Sequence, residues 1–152
     1  MDKFDMQVYE YMRDTMLRKH RDKALFAAYQ KALRENVFSD QRQAVDYVRK
    51  SEAPRWFVSK EHCAAVIGSW LHGKEFYKMR PNKRRKFMAL FDIYKLKKAE
   101  FPYSALTHLD LCAAIVDMPA PEWFLDHQMA SRIITEQIRL RNELIASAYG
   151  RK

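Results

Sequence analysis

Apolar residues along the chain recur three and four positions apart, the period of one face of an α-helix. Phe4, Val8, Met12 and Met16 predict an opening amphipathic helix. A second helix is predicted from about Asp22 to Glu35, burying Leu25, Phe26, Tyr29 and Leu33. Ser39-Asp40 then caps a third, with Ala44, Val45 and Val48 on one face, ending before Pro54. After an Ala-Pro-Arg-Trp-Phe turn, Ser59 caps a fourth through Cys63, Val66, Ile67, Trp70 and Leu71. Pro81 suits the first turn of a helix reaching about Lys98 and burying Phe87, Leu90, Phe91 and Tyr94. Phe101-Pro102 breaks it. Ser104 or Thr107 opens the next, with Leu109, Cys112, Ile115 and Val116, which Pro119 and Pro121 end. Asp126 caps a long last helix whose stripe is Met129, Ile133, Ile134, Ile138, Leu144 and Ile145, and Gly150 follows its stop. The pattern predicts an all-α protein.

Two stretches of this pattern repeat. Ala53-Pro54-Arg55-Trp56-Phe57 matches Ala120-Pro121-Glu122-Trp123-Phe124, 67 residues on, with Val48 against Ile115 and Val66-Ile67 against Ile133-Ile134. Upstream, Ala24-Leu25-Phe26 with Tyr29 matches Ala89-Leu90-Phe91 with Tyr94 at a spacing of 65. The expected architecture is a compact helical domain over residues 1–152. It is built from two tandem, diverged three-helix repeats, about 18–74 and 80–149, plus an N-terminal helix. Helix, short helix, turn and capped helix is the order of helix-turn-helix modules, although the turn here is longer than usual. The four aromatic residues of the two turns are expected as core staples between helices.

Composition narrows the function classes. Of 152 residues, 48% are apolar and 31% charged, which suits a folded domain rather than a disordered one. Three glycines are expected to be too few and too spread for a phosphate-cradling loop, so P-loop and dinucleotide-fold chemistry are not expected. No apolar run is long enough to cross a bilayer, and the opening Met-Asp-Lys-Phe-Asp lacks the pattern of a signal peptide. Cys63 and Cys112 read as reduced, buried thiols of a soluble, cytoplasmic protein.

The net charge of +9 is concentrated. Residues 74–98 hold ten basic side chains against Glu75 and Asp92, which is +8 in that window. Concentrated positive charge attracts polyanions, whereas the plainer reading of such a run is a solvated linker. The repeat favours the first reading. Arg18-Lys19-His20-Arg21 precedes one Ala-Leu-Phe and Lys83-Arg84-Arg85-Lys86 precedes the other, a coincidence that packing does not require. Phosphate contacts to double-stranded DNA are therefore expected from Lys78, Arg80, Lys83, Arg84, Arg85 and Lys86, helped by Arg18, Lys19 and Arg21. The helix starting near Ser59 is the candidate for major-groove readout, with Lys60 at its start and Arg55 on the turn beside it. Glu122 replaces Arg55 in the second copy. The alternative is a module docking an acidic protein through the same basic face, with Ala64, Ala65, Gly68 and Ser69 as a small-residue patch for a partner helix. RNA binding ranks below DNA; Phe76 and Tyr77 are its candidate stacking residues.

Little points to catalysis. His62 and Cys63 are adjacent and face apart on a helix, and the five histidines show no metal-ligand spacing. Asp126-His127 lacks a third partner. No cofactor or metal is expected, and the reading is of a binder rather than an enzyme.

Ser51 to Ala64, the block Lys78-Met79-Arg80-Pro81-Asn82-Lys83-Arg84, and Pro119 to Leu125 with Ala130-Ser131 together carry a resemblance. Over roughly residues 20–140 the chain resembles a family of small helical proteins associated with prophages and mobile elements of gut anaerobic bacteria. Those carry an Arg-Phe-Trp-Val-Ser-type turn, a Met-Arg-Pro-Asn-Lys-Arg block and a Pro-Ala-Pro-x-Phe-Tyr-type turn. This chain departs at Glu122, where a basic residue is more usual, and at Asp126. The resemblance implies a phage or mobile-element setting, which favours DNA transactions.

Overall fold

A computed structural model describes residues 2–75 and 78–150, and these are helical, with no strand among them. The helices are α1 (Lys3–Glu35), α2 (Gln41–Arg49), α3 (Lys60–Leu71), α4 (Pro81–Lys98), α5 (His108–Val116) and α6 (His127–Gly150), with a 3₁₀ turn at Tyr103–Ala105 before α5. Polar side chains set most of the starts. Asp2, Asp40, Ser59, Thr107 and Asp126 each accept a hydrogen bond from the backbone N–H three residues on, at 2.7–3.2 Å. At α2 the bond is returned, since Ser39 donates its N–H and hydroxyl to Gln43 Oε1.

The two predicted opening helices are one. Nothing between Met16 and Asp22 breaks a helix, and the Arg18–Arg21 cluster consists largely of good helix formers, so α1 runs 33 residues, about 50 Å. Only its second half meets the core, through Leu25, Tyr29 and Ala32. Phe4, Val8, Met12 and Met16 are exposed, as is Leu33, because no element packs beside them in this chain. The last helix is corrected likewise. It buries Ala130, Ile133 and Ile134, continues through Gly150 and leaves Leu144 and Ile145 exposed.

Trp56, Phe87, Leu25, Ile67, Leu90, Leu111, Ile115 and Ile134 are the largest fully buried side chains. Ala64 and Gly68 of the small-residue patch on α3 lie in this packing, whereas Ala65 is exposed. Gly68 faces His108 of α5 so closely that a Cβ would come within 3.3 Å of its Nε2. That Nε2–H donates to the Ala64 carbonyl at 2.7 Å, leaving Nδ1 to accept from the Tyr94 hydroxyl at 2.9 Å. Ala64 and Gly68 thus join α3 to α5. Cys63 and Cys112 are fully buried beside each other, and their hydrogen bond together with burial pushes the Cys63 thiol up, away from reactivity.

The two aromatic turns meet at the centre. Ala53 and Ala120 exchange both backbone hydrogen bonds at 2.9 Å. Trp56 N–H donates to the Val116 carbonyl and Trp123 N–H to the Arg49 carbonyl, both at 3.2 Å. Trp56 stacks on Phe124 (5.5 Å, 18°) and Phe57 on Trp123 (5.7 Å, 12°). Phe57 and Phe124 both adopt the left-handed region, φ 55° and 56°. For a residue with a Cβ that costs about 1–2 kcal/mol. The ring stacks and the burial of the tryptophans offset it. Each of these contacts maps onto its counterpart 67 residues on.

Candidate anion-binding cleft

Beside the paired turns lies a cleft of about 820 Å³. Arg18 and Arg21 of α1 line one side, and Arg80, Lys83 and Lys86 at the start of α4 line the other. The first and fourth residues of each basic cluster therefore converge on one cavity, since i and i+3 share a helix face. The middle residues, Lys19 with His20 and Arg84 with Arg85, do not line it. The far wall is apolar: Phe57, Val58, Trp123, Phe124 and Leu125. The first turns of α3 and α6 close the cleft with Ser59 and His62, and with Asp126 and Met129.

The acidic side chains of the cleft are already engaged. Asp14 accepts from Arg13 Nε at 3.2 Å, and Asp126 caps α6 at Met129 N–H, 2.7 Å. Most of the cations are not. Arg21 leans on Asp22 (3.0 Å), while Arg18, Arg80, Lys83 and Lys86 have no acidic partner among the described residues. Lys86 and Arg21 are half-buried, whereas Arg18, Arg80 and Lys83 are exposed. Burial, then the neighbouring Arg21 and Lys83, push Lys86 down to about 7. His62, edge-on to Phe87 at 5.1 Å, is lowered mainly by burial and next by Lys83. Arg80 makes no side-chain cap to α4, and Pro81 has no N–H to offer. The N–H groups of Asn82 and Lys83 have no intrahelical carbonyl to reach, which adds the positive end of a helix dipole to the cleft.

The other expected site residues sit elsewhere. Arg55 is paired with Asp117 (2.7 Å) and Arg84 with Glu75 (3.3 Å). Arg85 grips Glu122 with two bonds of 2.8 and 2.9 Å while lying over the Phe124 ring. These three arginines stand in half-exposed internal ion pairs, whose carboxylates cancel much of the local field. Glu122, the departure from the basic residue at that turn, is the partner that holds Arg85. Lys19 and Lys78 are exposed outside the cleft. Lys60 is exposed too, but its neighbour Glu61 binds Arg13 (3.4 Å), so α1 flanks the end of α3 expected to enter a groove. Phe76 and Tyr77 lie outside the described residues.

Reading residues alone missed His62 and Asp14 at the cleft. Asp14, Leu17, Arg18 and Arg21 share one face of α1, a signal visible only once α1 is taken as one helix. It also missed the partner of His127, whose Nδ1 meets Asp46 at 2.8 Å while Arg49 holds the same carboxylate at 2.7 Å. The pair holds Asp46 down at about 2, and it ties the start of α6 to α2.

No described group of three or more His, Cys, Asp or Glu side chains could hold a metal ion, and no described helix is long and apolar enough to cross a membrane. The cleft gathers five cationic side chains against apolar ones, in an all-helical fold. Neither a protein-family model, nor a curated protein, nor a solved structure matches the chain.

Proposed function

We propose that the protein is a non-enzymatic DNA-binding protein that grips phosphates with Arg18, Arg21, Arg80, Lys83 and Lys86. The observation that carries this is the convergence of five cations from two helices on one cleft whose acids are occupied. Lys19 and Lys78 extend the positive surface on either side, and phosphate contacts rather than base contacts are its basis. On this reading the two halves are diverged tandem copies, each supplying one basic cluster, which agrees with the matching hydrogen bonds of the two turns. The phage or mobile-element setting rests on the resemblance alone, and the cytoplasmic one on the reading of Cys63 and Cys112 as reduced thiols.

Fluorescence anisotropy against a random-sequence duplex, from about 50 to 300 mM salt, tests it. Binding is expected with a steep log–log salt slope. Replacing Arg18, Arg21, Lys83 and Lys86 together by Ala is expected to flatten that slope by about 4, near 0.9 for each phosphate no longer neutralised. Absence of binding by micromolar protein at the lowest salt overturns the reading, and the same face then becomes a docking site for an acidic protein.

A further inference from the structure

We propose that the cleft is a socket for a terminal phosphate monoester, the 5′-phosphate at the end of a nucleic-acid strand. The inference rests on the DNA-binding reading and states which part of the nucleic acid the cleft takes.

Three features separate this socket from a surface that tracks a duplex. The first is depth. Phosphates of a continuous duplex lie on a convex backbone, one per strand for about every 3.4 Å of helix axis, and meet exposed cations. Arg18, Arg80 and Lys83 at the rim fit that description, but Lys86 is set deeper between them. A strand end can enter where a continuous backbone cannot.

The second is charge. A buried ammonium without a counter-ion is costly, and the costs fall together on Lys86: partial burial, Arg21 and Lys83 close by, and no acidic partner among the described residues. Asp14 and Asp126, the carboxylates that line the cleft, are turned to Arg13 and to the cap of α6. A diester brings one negative charge. A monoester brings about −1.5 to −2 near neutral pH and three strong acceptor oxygens, a better match to Arg21, Lys83 and Lys86 together. The uncapped N–H groups at the start of α4 add donors on the same side.

The third is the wall. Half-buried Phe57, with the buried Val58 and Leu125 beside it, adds apolar lining to the cleft, suited to the sugar and base face of one terminal nucleotide.

The test compares a DNA hairpin with a short single-stranded 5′ overhang, ending in phosphate or in hydroxyl, by anisotropy at one salt concentration. The phosphorylated end is expected to bind about ten-fold tighter or more. Lys86→Met is expected to bring the ratio of the two affinities to about one, whatever its overall affinity, and exposed Lys83→Gln to lower it. Lys23→Ala, on α1 outside the cleft, is expected to keep the ratio. Circular dichroism of each variant separates unfolding from loss of the site. Equal affinity for both ends, with salt-dependent binding intact, overturns the socket and leaves the DNA-binding reading standing. A preference that survives both Lys86→Met and Lys83→Gln places the phosphate elsewhere and also overturns it. Failure of both hairpins to bind overturns the DNA-binding reading, and the socket with it.

Discussion

The basic clusters at Arg18–Arg21 and Lys83–Lys86 face each other across one cleft, yet they sit in different physical settings. The first lies in the middle of a 33-residue helix, where every backbone group is bonded within the helix and Arg21 has Asp22 for company. The second opens α4, where the first N–H groups are uncapped and Lys86 has no acidic neighbour among the described residues. Cations at a helix N-terminus oppose its dipole, so the second cluster is the costlier one. Equal spacing in sequence therefore does not mean equal roles. In the α1 cluster Arg21 is paired, and in the α4 cluster Arg84 and Arg85 are, which leaves Lys86 as the half-buried cation without an acidic partner among the described residues. Residues that lower stability for the sake of a ligand are a common cost of binding sites.

The largest effect is expected from removing the frame that holds the two clusters opposite each other. Trp56 is 1% exposed and stacks on Phe124 in the paired turns. Trp56→Ala is expected to destabilise the fold by about 3–5 kcal/mol, measured by urea or guanidinium unfolding. A loss under about 1 kcal/mol would mean that the turns do not hold the halves together.

Next in size is a gain. Lys86→Met removes a half-buried cation and keeps the volume, so it is expected to raise the melting temperature. Arg21→Met, which gives up the pair with Asp22, is not expected to do so. The pH dependence has a definite sign. With Lys86 lowered to about 7 in the folded protein and near 10.4 unfolded, the unfolded chain binds more protons between those values. The penalty on the folded state is therefore complete below about pH 7 and fades as pH rises towards about 10.4. Arg18, Arg21, Arg80, Lys83, His62, Asp14 and Asp126 are the charged or titratable groups that share the cleft with Lys86. The stabilisation by Lys86→Met should accordingly be larger at pH 6 than at pH 9. A gain of the same size at both would show that Lys86 is not the strained member.

The smallest expected effect lies on α1 before its cluster. Phe4 and Met12 are 71% and 60% exposed. Phe4→Ser and Met12→Ser are each expected to change unfolding free energy by no more than about 0.5 kcal/mol. A larger loss would show that this arm is covered in solution and that the two halves of α1 are less different than their packing.

Much of the fold is legible along the chain because helix signals are local. The 3.6 period, the caps at Asp40, Ser59, Thr107 and Asp126, and the proline breaks at Pro54, Pro102 and Pro119 all act within a few residues. The clusters and the two aromatic turns are equally visible. Periodicity alone, however, assigns Phe4, Val8, Met12 and Met16 to the core. An apolar stripe records the capacity to pack, while the presence of something to pack against is set elsewhere in the chain.

The order of residues is enough to make this protein helical, to place the starts of its helices, and to set two basic clusters at matching places. Tertiary packing alone brings Arg18, Arg21, Lys83 and Lys86 to one cleft. It also gives Arg55, Arg84 and Arg85 to carboxylates and leaves Lys86 half-buried. The reason is range. Helix propensity and capping are settled between residues a few positions apart, whereas burial and charge pairing depend on groups such as Arg85 and Glu122, or Arg21 and Lys86, which meet only after the helices have packed.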